Sequence, residues 1–315
     1  MDIQTKYYLK ILHEGSSYSL QPFPESGTLL QVHEDINAKR FNNGRKFFRD
    51  NLSMNVLGLS CTLVIGFSIP NLLEPLMFTK RSNSPEAILQ RYLTTIRHVT
   101  LWHYDVWDPN SAARKSIKMV YNRHLNVRNQ MKEHNEDTQC FTQYDMSLVQ
   151  HAFIHYAILL SDKLGLECTK TDLDDYVYFW RWMGYFLGIR DENNICINGL
   201  ENARAICKEL AEAVVYPALS ATSENSENMA QTFADGLTLL TFIPIQSAKS
   251  LMAFYLDIDD EPRDFKLTIL DKCRVLFLRS VVLVFKHSAL FRFVANRVTE
   301  RIISVSWFRS QVLNS

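Results

Sequence analysis

No charged residue lies between Asp50 and Glu74, and this uncharged run is long enough to cross a bilayer as one helix. A buried central helix of a helical protein has the same composition, because both environments exclude charge. The run also contains small and polar residues that a lone spanning helix does not need: Gly58, Ser60, Thr62, Gly66, Ser68, Pro70 and Asn71. It therefore predicts either a transmembrane helix or a central core helix, and both interpretations stay open.

Helical periodicity of apolar residues recurs along most of the chain, whereas the alternation typical of strands is almost absent. The 10 glycines and 9 prolines are few for 315 residues, which favours long helices over a turn-rich β architecture. Polar, turn-rich breaks separate the helices, so the fold is expected to be all-α. Helices are predicted near 47–78, 85–104, 112–133, 144–165, 173–189, 199–218, 228–255 and 266–306, the last of them broken.

The chain is expected to form one large helical domain with short flanking segments. An apolar fraction of 47% is enough for a substantial core at this length. The first residues resemble an irregular arm laid over that core. We predict an arm at residues 1–44, the helical domain at 45–306 and a tail at 307–315.

Charge and cysteine content exclude several classes of function. The 34 basic residues balance 34 acidic ones, so no overall field would attract nucleic acid. The six cysteines form no CxxC pair, which argues against a zinc ribbon or a disulfide scaffold and favours free thiols in a reducing compartment. The amino terminus lacks the apolar core of a secretory signal. We expect an intracellular protein that is not secreted.

His124 and Arg128 lie one helical turn apart in the stretch YNRHLNVRNQM. At helical spacing they share a stripe with Ile117, Val120 and Tyr121, so His124 is expected to face inward. A buried histidine usually finds a hydrogen-bond partner and has no further role. The alternative is a metal or haem ligand, with Arg128 binding a propionate or another acceptor. Spacing alone leaves both interpretations open.

The preceding predicted helix carries a polar stripe on one face, formed by Arg91, Thr94, Thr95, His98 and Trp102. Leucine and isoleucine side chains occupy another face of the same helix. The polar stripe is either solvated or lines a cavity that faces the helix of His124.

Other patterns of catalytic or metal sites are incomplete or missing. His151 and His155 are four residues apart and could bind one metal from a helix face, but the glutamate of the HExxH pattern is missing. The chain also lacks the repeated Glu-x-x-His pairs of di-iron bundles, a Gly-rich phosphate loop and a GxSxG elbow.

Five segments carry a resemblance to a known family: FFRDNL (47–52), TKRSNSPEAILQRYLTTIRHVTLWHYD (79–105), IKMVYNRHLNVR (117–128), QYDMSLVQHAFIH (143–155) and WRWMGYFLGIRDENN (180–194). In order and spacing they resemble the rubber oxygenase family, which includes the latex-clearing proteins and the endoplasmic-reticulum-bound oxygenase of mycophenolic acid biosynthesis. The resemblance covers roughly residues 45–215 and is closest to an insect and fungal branch. It implies a haem b protein with a globin-like helical core.

The family's proximal iron ligand is the histidine of a Val-Arg-x-x-His-x-x-x-Arg pattern. The resemblance places the valine at Val120, the iron-binding histidine at His124 and the later arginine at Arg128. The first arginine of the pattern is Tyr121 here, which leaves one family contact without support.

On the distal side the family has the pattern Arg-x-x-Lys-Thr, which falls on Arg91, Thr94 and Thr95. The lysine that can cap the iron in some latex-clearing proteins is Thr94 here, so the distal position would be open or occupied by water or His98. The resemblance also implies a catalytic glutamate before this pattern. Glu74 is the better candidate and Glu86 the other, although Glu74 could also be a solvated carboxylate at a helix end.

The resemblance implies a haem b-dependent oxygenase that uses dioxygen on an unsaturated, apolar substrate such as an isoprenoid or lipid. His124 would hold the iron, and Arg128, Arg91 and His98 would contact the cofactor. Glu74, Arg91 and Thr95 would take part in catalysis. Association with a membrane, the endoplasmic reticulum in particular, is implied as well. The alternative is a haem- or lipid-binding protein without turnover on the same scaffold.

Overall fold

The structure, a computed structural model, describes residue 10 and residues 12–24, 35–241, 246–258 and 266–312. The described residues are almost entirely helical. Within these ranges the sole β feature is an isolated antiparallel bridge between Ser19 and Thr142. The predicted all-α class is confirmed.

The helices follow one another with short connections. In chain order they are α1 (Ala38–Asp50), α2 (Leu52–Gly66), α3 (Pro70–Phe78), α4 (Pro85–Tyr104), α5 (Ala112–His134), α6 (Gln143–Leu160), α7 (Lys170–Phe186), α8 (Leu200–Leu210), α9 (Tyr216–Ser220), α10 (Glu224–Thr241), α11 (Ala248–Ile258), α12 (Ile269–His287) and α13 (Ala289–Val312). Short 3₁₀ turns lie at Gly15–Ser17 and Asp191–Asn193, and a π-helical turn at Ala211–Val215 joins α8 to α9.

The single helix predicted near 47–78 is wrong, because the uncharged run is divided between α2 and α3. Their axes are bent by 93° at a short break. Pro70 is the first residue of α3, and Ile69 before it is extended, as expected for a residue that precedes proline. No single helix in the described ranges is long and apolar enough to cross a membrane; the bent pair passes by length and composition only.

The described helices gather into two compact units that alternate along the chain. Unit 1 takes the described parts of Met1–Arg49, His98–Ile158 and Cys168–Val214, and unit 2 takes the rest. Helix α4 contributes to both units, with the division between Arg97 and His98. Because each unit combines distant segments, no single break divides the chain into two independent parts.

Each unit has its own core. Aromatic side chains fill unit 1, where the ring of the fully buried His103 stacks on Phe48 with centroids 3.8 Å apart. In unit 2, α2 lies at the centre and contacts α10, α11 and α13. Its buried residues include Asn55, Cys61 and Val64. Within unit 2, α2 is therefore packed as a central core helix. All six cysteines are free thiols.

Described residues inside the predicted arm and tail take part in regular structure. Residues 18–21 pack within unit 1, where the backbone N–H of Gln21 donates to the carbonyl of Gly188 across 2.8 Å. Helix α1 begins at Ala38, inside the predicted arm, and α13 continues to Val312. The domain limits at 45 and 306 stay a prediction.

Candidate functional site

Helix α5 carries the candidate iron ligand. The Ser111 hydroxyl caps its first turn by accepting from the backbone N–H of Arg114. Ile117, Tyr121 and Met131 are buried at helical spacing and fix the rotation of the helix in unit 1. That rotation places His124 on the inward side.

His124 is half-buried, and its imidazole stacks on the ring of Phe141 with centroids 4.8 Å apart and planes 24° apart. Phe141 has a φ of +49°, a left-handed backbone conformation that is strained for an aromatic residue. Residues in this conformation persist where the surrounding structure holds them, and they cluster at functional sites. Phe141 thus sets the orientation of the His124 ring.

Arg128 follows His124 by one turn and is held by a hydroxyl. Its Nη2 donates to Ser19 Oγ across 2.6 Å. Its Nε is buried and has no hydrogen-bond partner in the described part of the chain. A guanidinium with a buried donor to spare suits an anionic group such as a carboxylate.

Tyr121, which the resemblance aligns with an arginine of the family pattern, contacts Gln21 and Phe23. Its hydroxyl donates to the carbonyl of Gln21 across 2.8 Å, and its ring lies 5.5 Å from that of Phe23. The side chain is almost fully buried. The substitution therefore exchanges a cation for a structural contact inside unit 1.

Both ring nitrogens of His98 form hydrogen bonds to side chains of α5. Nδ1 lies 2.7 Å from Ser116 Oγ, and Nε2 lies 3.1 Å from Nη1 of Arg123. Because a guanidinium can only donate, Nε2 must be the acceptor, and Nδ1–H donates to Ser116. Trp102 also donates to Ser116 Oγ across 3.1 Å. The C-terminal half of the polar stripe on α4 thus faces α5.

Arg91 and Thr95 lie in the part of α4 that belongs to unit 2. Arg91 Nη1 donates to the hydroxyls of Thr79 and Ser82 across 2.9 and 3.3 Å. Burial lowers the pKa of this guanidinium. The hydroxyls of Thr94 and Thr95 donate to carbonyls of their own helix, those of Gln90 and Arg91. Arg91 is half-buried, and an arginine bound by neutral hydroxyls retains its positive charge.

Glu74 lies on α3 with its carboxylate exposed. Exposure removes the desolvation cost that the uncharged neighbours would otherwise impose. Glu86 is exposed in the first turn of α4, where hydrogen bonds from its own backbone N–H and from Ser84 lower its pKa.

An open groove of about 480 Å³ runs along α5. Its lining residues lie on the helix face opposite His124, so the groove is not where His124 could bind a ligand. They are Lys115, Lys118, Met119, Asn122, Arg123 and Asn126.

His151 and His155 on α6 are fully buried, with ring centroids 4.8 Å apart. Nε2 of His151 lies 3.2 Å from the carbonyl of Cys207, so it carries the proton and donates to it. This hydrogen bond removes Nε2 of His151 as a metal ligand. Burial lowers the pKa of both imidazoles, that of His151 to about 4.

Buried amides, which the sequence did not single out, join two of the quoted segments. Gln143 donates to the carbonyl of Gly188, and its Oε1 accepts from the backbone N–H of Arg190. Gln150 donates to Oδ1 of Asn194 across 3.0 Å. Their position on the apolar face of a predicted helix could have identified them, because buried polar side chains need hydrogen-bond partners. They fix α6 against the loop after α7.

The residues around His124 fit a haem better than a bare metal ion. Among the described residues no cluster of three or more His, Cys, Asp or Glu side chains could hold a metal. A haem iron needs only one axial ligand from the protein and carries two carboxylates. An imidazole oriented by Phe141, with the unsatisfied Nε–H of Arg128 one turn away, meets both needs.

Comparison with known proteins gives two matches. A family model described as "ER-bound oxygenase mpaB/B'/Rubber oxygenase, catalytic domain" matches residues 45–256. A solved structure of latex clearing protein LCP in the closed state is similar with a TM-score of 0.62 and 14% identity, over 96% of this chain and 86% of that chain. No curated protein matches the chain. At this identity the structural likeness shows a shared fold.

Proposed function

The chain belongs to the family of ER-bound oxygenase mpaB/B' and rubber oxygenase catalytic domains, and we propose that it is a haem b-dependent oxygenase of an unsaturated, apolar substrate. The observation that most supports the haem is the pairing of His124 and Arg128 on α5. The imidazole is oriented by Phe141, and the guanidinium keeps a buried donor unsatisfied.

His124 would bind the iron, and Arg128 would bind a propionate through its free Nε–H. The haem, when bound, would supply the oxidation chemistry with dioxygen. Arg91 and Thr95 are implied for the distal side by the resemblance alone, because both lie in unit 2 and their hydrogen bonds stay within that unit. His98 would not bind the iron, because both of its ring nitrogens are hydrogen-bonded to α5.

Glu74 would be the general base. An exposed carboxylate can exchange protons with water directly. The hydrogen bonds that lower the pKa of Glu86 make it a weaker proton acceptor than an ordinary glutamate. This argues against Glu86 as the base.

The substrate is proposed to be an isoprenoid or lipid chain. The description of the matched family names a rubber oxygenase, and rubber is a polyisoprenoid; it also names an ER-bound oxygenase. We therefore place the protein inside the cell, in association with a membrane such as the endoplasmic reticulum. Six free thiols suit a reducing compartment.

A haem- or lipid-binding protein without turnover is the second candidate, and two substitutions favour it. Tyr121 replaces a family arginine, and its hydroxyl donates to the carbonyl of Gln21. Thr94 replaces a family lysine, and its hydroxyl donates to a carbonyl of its own helix. Neither side chain can supply the charge of the residue it replaces.

Oxygen uptake by the haem-loaded protein distinguishes the two candidates. The assay would use an oxygen electrode with farnesyl and polyunsaturated lipid substrates. An oxygenase consumes oxygen only with substrate, and Glu74→Gln lowers the rate by about 100-fold, as expected for loss of a general base. Glu86→Gln is the matched control and keeps the rate. Substrate binding without any uptake would establish the carrier instead.

A further inference from the structure

Helix α12 is apolar on two opposite faces. Val275, Leu278, Val282 and Phe285 are buried in unit 2. The outward face exposes apolar residues whose relative exposure runs from 45% to 84%: Ile269, Leu270, Leu276, Phe277, Leu283 and Val284. Exposed apolar stripes of this length mark surfaces that contact a protein or a membrane.

Helix α13 adds to this exposed surface while it is firmly attached on its other side. The side-chain Oδ1 of Asn296 accepts from the N–H and the hydroxyl of Ser53, and its Nδ2 donates to the carbonyl of Asp50. Among the residues of α13 with described side chains, the exposed apolar ones are Leu290, Phe293, Val294, Val298 and Ile302. We call the exposed apolar residues of α12 and α13 together the outer face.

The segment that carries the outer face is strongly basic in a chain with no net charge. Residues 266–304 are all described and hold the basic residues Lys266, Lys272, Arg274, Arg279, Lys286, Arg292, Arg297 and Arg301. Their acidic residues are Asp271, which is buried and paired with Arg274, and Glu300, which is paired with Arg297. From outside the segment, Glu167 pairs with Arg292 and Asp162 with Lys286, so these two carboxylates balance part of its positive charge.

Three of these cations recur every seven residues along one edge of the exposed stripe of α12: Lys272, Arg279 and Lys286. All three are exposed, and Lys286 also pairs with Asp162 across 2.6 Å. An apolar stripe beside a row of cations is the pattern of helices that lie in the interface of an anionic membrane.

We propose that the outer face binds the surface of an anionic phospholipid bilayer. The apolar side chains would enter the interfacial region, and the cation row would contact headgroup phosphates. A second copy of this chain is a poorer partner, because two basic faces would be brought together. The inference rests on the proposed membrane association but not on haem, and it assigns the contact to α12 and α13 rather than to the uncharged run.

Binding of the purified full chain to vesicles tests the choice of partner. We expect binding to phosphatidylcholine vesicles that contain phosphatidylserine to be about tenfold tighter than to phosphatidylcholine alone, and to weaken with added salt. Lys272→Glu with Arg279→Glu removes this preference. Equal binding to both vesicles, or none to either, would overturn the proposal.

A matched pair of double variants tests the choice of surface. Leu276→Ser with Leu283→Ser removes two exposed residues of the outer face and lowers vesicle binding by about tenfold or more. Val106→Ser with Met119→Ser removes two exposed apolar residues of unit 1 and leaves binding unchanged. Circular dichroism verifies that both variants are folded. The proposal fails if the two variants bind alike.

Cys273, the exposed one among the six cysteines, lies within the exposed stripe of α12 and reports its occupancy. Vesicles should protect its thiol from a water-soluble maleimide. Protection without vesicles that rises with protein concentration, together with a doubled mass in light scattering, would identify a second copy as the occupant and overturn the proposal.

Haem loading keeps this proposal separate from the proposed function. Leu276→Ser with Leu283→Ser should load haem as the wild type does. If the chain binds vesicles but takes up no haem, only the proposal of a haem-dependent oxygenase is contradicted. If it takes up haem but does not bind vesicles, only the proposal that the outer face binds a membrane is contradicted.

Discussion

Arg123 donates a hydrogen bond from Nη1 to Nε2 of His98 across 3.1 Å, and this contact assigns the tautomer of the histidine. The other ring nitrogen, Nδ1, must carry the proton that it donates to Ser116 Oγ. Both ring nitrogens of His98 are thus hydrogen-bonded to side chains of α5. His98 is held as a neutral structural group and cannot bind iron without losing one of these contacts.

The haem-loaded protein should therefore lack the low-spin spectrum of an iron with two histidine ligands. His98→Ala should leave the absorption spectrum of the ferric haem in the same class as the wild type. The measurement is absorption and electron paramagnetic resonance of both proteins. A bis-histidine signal in the wild type that disappears in His98→Ala would show that His98 leaves Arg123 to bind the iron.

Variants of Arg128 and Ser19 distinguish a role of the Arg128 cation in haem binding from a role in holding Ser19. Arg128→Ala should weaken haem binding by about tenfold or more, because a hydrogen bond to a charged group contributes roughly 1.5–3 kcal/mol. Ser19→Ala removes only the partner of Nη2 and should leave haem affinity nearly unchanged. Haem titration followed by absorbance measures both. Equal weakening by the two variants would mean that Arg128 serves only to hold the N-terminal segment.

The backbone conformation at position 188 requires a glycine, whereas that at position 66 does not. Gly188 has a φ of +87°, and a Cβ there would lie 2.9 Å from the carbonyl oxygen of Gln21. Gly188→Ala should lower the free energy of unfolding by about 1–3 kcal/mol. Gly66 is the control, since a Cβ meets nothing within 4 Å at this last residue of α2, and alanine is tolerated there. Chemical denaturation of both variants tests this, and equal losses would contradict it.

His151 makes stability depend on pH in the acid range. Burial lowers the pKa of its imidazole from 6.5 to about 4 in the folded chain, so between these values the unfolded chain binds the extra proton. Stability therefore falls as the pH drops from 6.5 toward 4, by about 1.4 kcal/mol per pH unit for this group. His151→Asn keeps a donor for the carbonyl of Cys207. The variant should reduce the slope of the free energy of unfolding against pH by about 1.4 kcal/mol per pH unit, the contribution of one proton. An unchanged slope in urea unfolding at several pH values would show that His151 is not the source.

Periodicity predicted the helical class because apolar residues must face a core once per turn, and that requirement is local. It also placed His124 on the inward face of α5 before any contact was known. The break in the uncharged run was predictable from Pro70, which cannot donate inside a helix, although the composition of the run suggested one continuous helix.

The contacts of His98 could not be predicted in the same way, because Ser116 and Arg123 lie on another helix and approach only when α4 packs on α5. The left-handed backbone of Phe141 is similarly invisible in a sequence, since nothing about a phenylalanine predicts a positive φ. Exposure of Glu74 depends on where α3 turns after the break, which local sequence does not determine.

The absorption spectrum of the purified chain, expressed with ample haem and compared with His124→Ala, is the most direct test of the cofactor and its ligand. We predict a Soret band in the wild type that is lost in the variant, while circular dichroism shows that both proteins are equally helical. A wild-type chain that binds no haem, or a variant that keeps the same Soret band, would contradict the assignment of His124 as the iron ligand.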